Sequence, residues 1–311
     1  MRKNCRIHLN RIITNKWQPE SQQSALVPWG VSQVGATELW PHFMGQGVSV
    51  AIIDTGIHAQ HPDLKDAVGI GYNVLHPGTA PRDDNGHGTH IAGTIAAYGR
   101  KAGIIGVAPA TTIHPVKAFD GKGTAYVGDI VSGIEWCVAN RISIINMSFG
   151  INENSPSLRR AVLNAYRQGS IIIASAGNDG NEKKVDYPAQ YDEVVGVGAI
   201  NRANQLAAFS NNLGRIDLYA PGVAIDSCHR LRSYRTLSGT SMAAAHVSGA
   251  LAQLMSALPR HQPQALLLAL QQTATPLASS KPSSAGALNV SRAYRWLTGA
   301  PLSHLTSAPA H

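Results

Sequence analysis

The chain has 311 residues, of which 44% are hydrophobic and 14% charged, with a formal net charge of +8. That length and apolar share suffice for one large core or two smaller ones, and no stretch approaches the roughly 20 apolar residues of a membrane span. The basic surplus reads as a solvated surface, because no Lys/Arg run with interleaved aromatics marks a nucleic-acid face; neither nucleic acid nor a membrane is expected as a partner.

In chain order, residues 1–24 are polar and basic without apolar periodicity, and are expected to form a flexible extension. Met1-Arg2-Lys3 carries the charges of a secretion signal, but no apolar core of about 7–15 residues follows it. Apolar runs then alternate in kind: a strand over 48–54, a helix over 87–97, a strand over 113–117, a helix over 127–139 and a strand over 142–147. A helix over 158–167, a strand over 171–174 and an Ala-rich helix over 242–254 continue the alternation. This pattern predicts an α/β fold with a mainly parallel sheet and one domain over 25–294. Residues 295–311, rich in Ala, Pro, Ser and Thr, are expected to be a flexible tail. Cys5, Cys137 and Cys228 are odd in number, so at least one thiol stays unpaired, and their spacing fits no metal motif.

Three segments carry chemistry. The apolar strand 48–54 ends in Asp54, followed by Thr55-Gly56; Asp84-Asn85-Gly86-His87-Gly88-Thr89-His90 opens a helix; Gly239-Thr240-Ser241-Met242-Ala243 opens another. A serine hydroxyl is a poor nucleophile until a base takes its proton, and an acid is needed to orient that base. Asp54, His87 and Ser241, each at the edge of an element and in that chain order, are the candidates for those roles. Asp-Thr-Gly also spells an aspartic-protease motif, but no second copy is present to share a proton. His87 and His90 have a helical i, i+3 spacing without a third metal ligand, and His246 is expected to be structural.

These motifs resemble those of the subtilase family. Val27-Pro28-Trp29-Gly30-Val31-Ser32-Gln33, Gly133-Ile134-Glu135-Trp136, Ala220-Pro221-Gly222 and Gly286-Ala287-Leu288-Asn289-Val290 are similar to further landmarks. The resemblance runs from about residue 28 to 294 and implies a subtilisin-like sheet with helices on both faces. It implies a serine endopeptidase acting on peptides or proteins through an acyl-enzyme, with no cofactor for the chemistry. Asn178, in Ser175-Ala176-Gly177-Asn178-Asp179, takes the part of oxyanion donor. Ser148, Phe149 and Gly150 on one side and Gly121 and Gly123 on the other would pair with extended substrate. The primary specificity pocket would be walled by Ser148–Gly150 and by Gly177 and Asp179. Its floor, just before Tyr187-Pro188, is Asp186, which predicts a preference for Arg or Lys before the scissile bond.

The family's tight calcium site aligns with His61-Pro62-Asp63, but Ala25 replaces a glutamine ligand and Arg100 replaces an asparagine. That site is expected to be lost, with Arg100 or Lys101 close to Asp63. A weaker site, at the carbonyls of Ala189, Tyr191 and Val194 with Asp217 nearby, remains a metal candidate, so structural calcium is open. The short extension makes the layout closest to intracellular members, which leans towards the cytoplasm. Ala245 stands where the family usually has proline, which motivates peptide ligation as an alternative to hydrolysis. A non-catalytic scaffold is the other alternative, and the oligomeric state is not legible.

Overall fold

The computed structural model describes residues 6–9, 13–16, 25–99, 103–277 and 285–299. Two short strands, β1 (Arg6–His8) and β2 (Ile13–Lys16), precede helix α1 (Trp29–Gln33). The α/β body follows with β3 (Ser49–Asp54), β4 (Tyr72–Asn73), α2 (His87–Ala96), β5 (Thr112–Lys117), β6 (Thr124–Tyr126) and α3 (Val127–Ala139). It continues with β7 (Ile144–Met147), α4 (Pro156–Arg167), β8 (Ile171–Ser175), β9 (Val194–Ile200), β10 (Leu218–Pro221), β11 (Ile225–His229) and β12 (Ser233–Ser238). Helices α5 (Thr240–Ala257), α6 (Pro263–Gln272) and α7 (Val290–Thr298) close the described chain.

The central sheet has seven strands in the order β10-β9-β8-β7-β3-β5-β4, paired in parallel throughout. Helices cover both faces, so its strands are continuous apolar runs rather than alternating ones. The pleat divides β3 between two cores: Val50 and Ile52 face one, Ala51 and Ile53 the other. The first core is filled by α2 and α5, the second by α3 and α4. Helix α4 shows why such segments start where they do. Ser155 accepts a bond from Leu158 N–H, Pro156 occupies the first turn, and Leu158, Ala161, Val162 and Ala165 form its buried stripe. No helix among the described residues is long and apolar enough to cross a membrane.

The main departure from expectation is at the N-terminus. The segment 1–24, expected to be a flexible extension, carries β1 and β2, and both pair with the body. β1 runs antiparallel to β6, with Ile7 only 1% exposed, and β2 runs antiparallel to β12. The tail 301–311 lies outside the described residues, while α7 extends to Thr298, past the expected domain end at 294.

Candidate active site

Asp54 ends β3 in the middle of the sheet, and His87 begins α2 beside it. Both are buried, and His87 Nδ1 lies 2.8 Å from each carboxylate oxygen of Asp54. Thr55 N–H donates to Asp54 Oδ1 at 2.7 Å, so the acid is fixed from its own chain as well. With Nδ1 donating to a carboxylate, the neutral imidazole presents a lone pair at Nε2, which has no hydrogen-bond partner. Ser241 lies in the first turn of α5, and its hydroxyl donates to Ser148 O at 3.0 Å. The Asp54–His87 pair is thus assembled, while the Ser241 hydroxyl is engaged with Ser148 O rather than with the imidazole.

Two groups absent from the sequence-based site hold this geometry. The Asp83 carboxylate accepts from Asn85 N–H at 2.9 Å, Gly86 N–H at 2.8 Å and Thr89 N–H at 3.0 Å, and from the Thr55 and Thr89 hydroxyls. Open N–H groups at a helix start attract an anion, so Asp83 clamps the turn that delivers His87. The chain enters this helix through Gly86 at φ 116°, a conformation open to glycine, and a side chain there would strike the His229 ring. Lys117, buried, donates to Thr55 O at 2.7 Å, Asp84 Oδ1 at 2.6 Å and Phe119 O at 3.0 Å, tying β5 to the turn after Asp54. The only sequence signal for Asp83 is its place just before the Asp84–His90 motif.

Asn178 follows β8, and its Oδ1 accepts from Thr240 N–H at 2.9 Å and Thr240 Oγ1 at 2.8 Å. That leaves Nδ2 facing the serine turn: a methyl group added at Gly239 would lie 2.9 Å from it. Ser148 is locked against the same turn, donating its hydroxyl to Ser241 O at 3.2 Å and accepting from Asn146 Nδ2 at 2.8 Å. Phe149 is buried against Phe119 and contributes backbone rather than side chain to the groove.

The groove between the two expected walls is filled by the chain itself. Leu9 N–H donates to Gly123 O at 2.9 Å, β1 pairs with β6, and His8 bridges to Gly150. Gly121 lies at the edge of this wall, its carbonyl accepting from Asn85 Nδ2 at 3.1 Å. Beside β1 is a cavity of about 380 Å³ lined by Ile7, His8, Gly150, Asn152, Asp179 and Asp186. The Asp186 carboxyl sits between the Cα atoms of Gly150 and Gly177, so it closes the space between the two walls. It is 4% exposed, with no ion pair to Lys183 or Lys184 and one long contact, 3.5 Å, from Asn211 Nδ2. Burial, with a smaller contribution from exposed Asp179, pushes its pKa up to about 7.

The match to known proteins covers the same ground. The pattern of the Subtilase family fits residues 45–296. The chain is a subtilase. Subtilisin from Bacillus pumilus is 40% identical over 272 residues, spanning 86% of this chain and 98% of that protein. Subtilisin DY from Bacillus licheniformis is 39% identical over 271 residues with the same coverage. The minor extracellular protease Epr of Bacillus subtilis is 41% identical over 227 residues, 73% of this chain and 35% of that protein. This subtilase is a serine endopeptidase of the subtilisin type, with protein or peptide substrates.

The metal candidates of this subtilase fare differently from one another. Around Asp217 the Arg215 guanidinium takes the central place: Nη2 lies 2.7 Å from Asp217 Oδ1, and Nη1 donates to Tyr191 O at 2.9 Å. A fixed cation therefore occupies the space between the Asp217 carboxylate and the Tyr191 carbonyl. That fixed charge repels a divalent cation, so the set as arranged does not fit a calcium ion. At the other site Asp63 Oδ2 already accepts from Ile104 N–H at 3.0 Å and Tyr234 OH at 2.8 Å, while Asp63 Oδ1 has no hydrogen-bond partner. Arg100 and Lys101, expected beside Asp63, lie outside the described residues.

His90, His246, Cys137 and Cys228 are all buried. His90 Nε2 lies 3.1 Å from both Ile225 O and Arg235 O, and burial pushes its pKa down to about 3. His246 Nδ1 lies 2.8 Å from Met242 O, with its pKa lowered to about 4, chiefly by burial. Cys137 is a buried core residue, and burial pushes its thiol pKa up. Cys228 is also buried, in a group with His61 and Asp63 whose ligand atoms lie within 4.8 Å of one another, an association its sequence position does not reveal.

Proposed function

We propose that Ser241 is the nucleophile, His87 the general base and acid, Asp54 its orienting carboxylate, and Asn178 Nδ2 an oxyanion donor. Cleavage then proceeds through an acyl-enzyme. The Ser241 hydroxyl turns from Ser148 O to the open lone pair of His87 Nε2 and attacks the substrate carbonyl as its proton passes to the imidazole. His87 returns that proton to the leaving amine, and water repeats the cycle to free the acid. The charge that develops on the imidazolium is met by Asp54, 2.8 Å away and out of water. The observation that carries this reading is the buried Asp54–His87 pair with an unpartnered Nε2 at the head of α2, which packs against α5, the helix that opens at Ser241. Labelling with a fluorophosphonate, with Ser241→Ala as control, tests it; folded protein that neither labels nor cleaves peptides would favour the scaffold alternative.

Substrates with Arg or Lys before the scissile bond are the proposed preference. The supporting feature is Asp186, a buried and unpaired carboxyl between Gly150 and Gly177. A guanidinium or ammonium entering this pocket meets the Asp186 carboxyl, and a hydrogen bond to a charged group is worth roughly 1.5–3 kcal/mol. That exceeds the contribution of one or two extra methylenes. Any such substrate must first displace β1, which now holds the backbone groups of β6 and Gly150.

A further inference from the structure

The two N-terminal strands trace the path of an extended chain through the cleft. A cavity of about 350 Å³ lined by His8, Leu9, Thr14, His87, His229 and Leu237 joins the end of β1 to the start of β2 at the catalytic histidine. Residues before the scissile bond therefore belong on β6 and Gly150, and residues after it belong on β12.

The two ends of this path carry opposite charge. Around the first lie Asp179, Asp186 and Glu153. Around the second lie Arg230, Arg232 and Arg235, on and beside the β11–β12 hairpin. On β12, Ser233, Arg235 and Leu237 share a face opposite His229, Ser227 and Ile225 of β11. Leu237 and His229 both line the cavity at His87, and Arg235 shares their face of the hairpin, beyond the lining of that cavity. Its charge, with that of Arg230, is felt at His229, and Arg232 is felt at His58 and His61. The neighbouring acids are committed elsewhere: Asp83 to the α2 turn, Asp84 to Lys117, Asp226 to the Thr236 hydroxyl. Among the described residues no carboxylate pairs with Arg232 or Arg235.

We propose that this stretch of β12 is an acid-selecting subsite, in which Arg235 and Arg232 receive a substrate carboxylate on the far side of the scissile bond, at the place that Lys16 takes opposite Arg235. The proposal rests on the endopeptidase reading and adds a second determinant to it. The chain's own strand does not satisfy the subsite: Ile13, Thr14, Asn15 and Lys16 include no acid, and the register sets Lys16 opposite Arg235. A substrate with an acid there gains a contact that the resident strand lacks.

The test uses the full chain and peptides identical up to the cleaved bond, carrying Glu, Gln or Lys in turn at the second to the fifth residue after it. At low ionic strength kcat/KM is expected to fall in the order Glu, Gln, Lys, by about threefold to tenfold overall, and to flatten in 0.5 M salt. Arg232→Gln with Arg235→Gln should flatten the order while the Gln peptide is cleaved as before. Binding of the same peptides to Ser241→Ala, read by fluorescence anisotropy, should give the same order without turnover. Brisk cleavage with no order, or an order unchanged in the double variant, overturns the subsite and leaves the endopeptidase standing. Absent turnover with the binding order retained supports the subsite and sinks the catalytic roles.

Discussion

Replacing Asp186 by asparagine separates a charge in the specificity pocket from the shape of the pocket. A rise in pKa from the ordinary 3.8 to about 7 corresponds to roughly 4 kcal/mol between the protonated and ionised forms, at about 1.36 kcal/mol per pH unit. The folded pKa lies above the unfolded one, so the native state holds this proton more tightly. Stability from this group is therefore complete below pH 3.8, falls as pH rises from 3.8 to about 7, and stays reduced above that. Asparagine does not titrate. Relative to its parent, Asp186→Asn should gain about 2–4 kcal/mol of stability on going from pH 4 to pH 8. Urea unfolding of the pair in a Ser241→Ala background, which prevents self-digestion, measures this directly. The same substitution should abolish any advantage of Arg over Gln before the scissile bond, an advantage expected to be about tenfold to a hundredfold at pH 8. It should be smaller at pH 5, where the carboxyl is protonated. A stability difference independent of pH, together with a parent that cleaves faster after Leu or Phe at pH 8, would refute the reasoning.

Other expectations are as direct. Ser241→Ala should eliminate turnover with an unchanged fold by circular dichroism. Asn178→Ala should lower kcat with little change in KM; a donor of this kind in subtilisin itself is worth about 100- to 1,000-fold, a measured value carried across to this chain. Deleting residues 1–17 should raise kcat/KM for a short peptide by about tenfold or more, since a tethered strand competes at an effective concentration near millimolar; an unchanged rate would show that β1 does not block the groove. Asp83→Ala should cost about 2–4 kcal/mol in thermal or urea unfolding and depress kcat more than KM, because several donors at the head of α2 lose their acceptor.

What the sequence reveals depends on how locally each feature is encoded. Asp54, His87, Asn178 and Ser241 stand at the ends of apolar strands or the starts of helices, where a one-dimensional pattern marks the turn. Strand and helix limits agree within about three residues for the same reason, as when α5 runs over Thr240–Ala257 rather than 242–254. Features made by distant pairing are hidden. β1 and β2 are short and polar, and what holds them is an edge more than a hundred residues away in the chain. Arg215 beside Tyr191 O depends on three-dimensional convergence that no local spacing records, whereas Asp83 holds N–H groups two to six residues ahead and is marked only by its place before the α2 motif. Asp186 lies between: its position before Tyr187-Pro188 marks it as a candidate for the pocket floor, but its burial and lack of an ion pair are visible only in the fold.

Because β1 is part of the same chain as the groove it fills, its hold does not weaken when the protein is diluted. A separate inhibitor of equal contact area would dissociate at low concentration. Removing the strand by another copy of the enzyme, in contrast, is a bimolecular event. A preparation that frees itself in this way would show a lag in peptide cleavage that shortens as protein concentration rises and disappears when a trace of already trimmed enzyme is added.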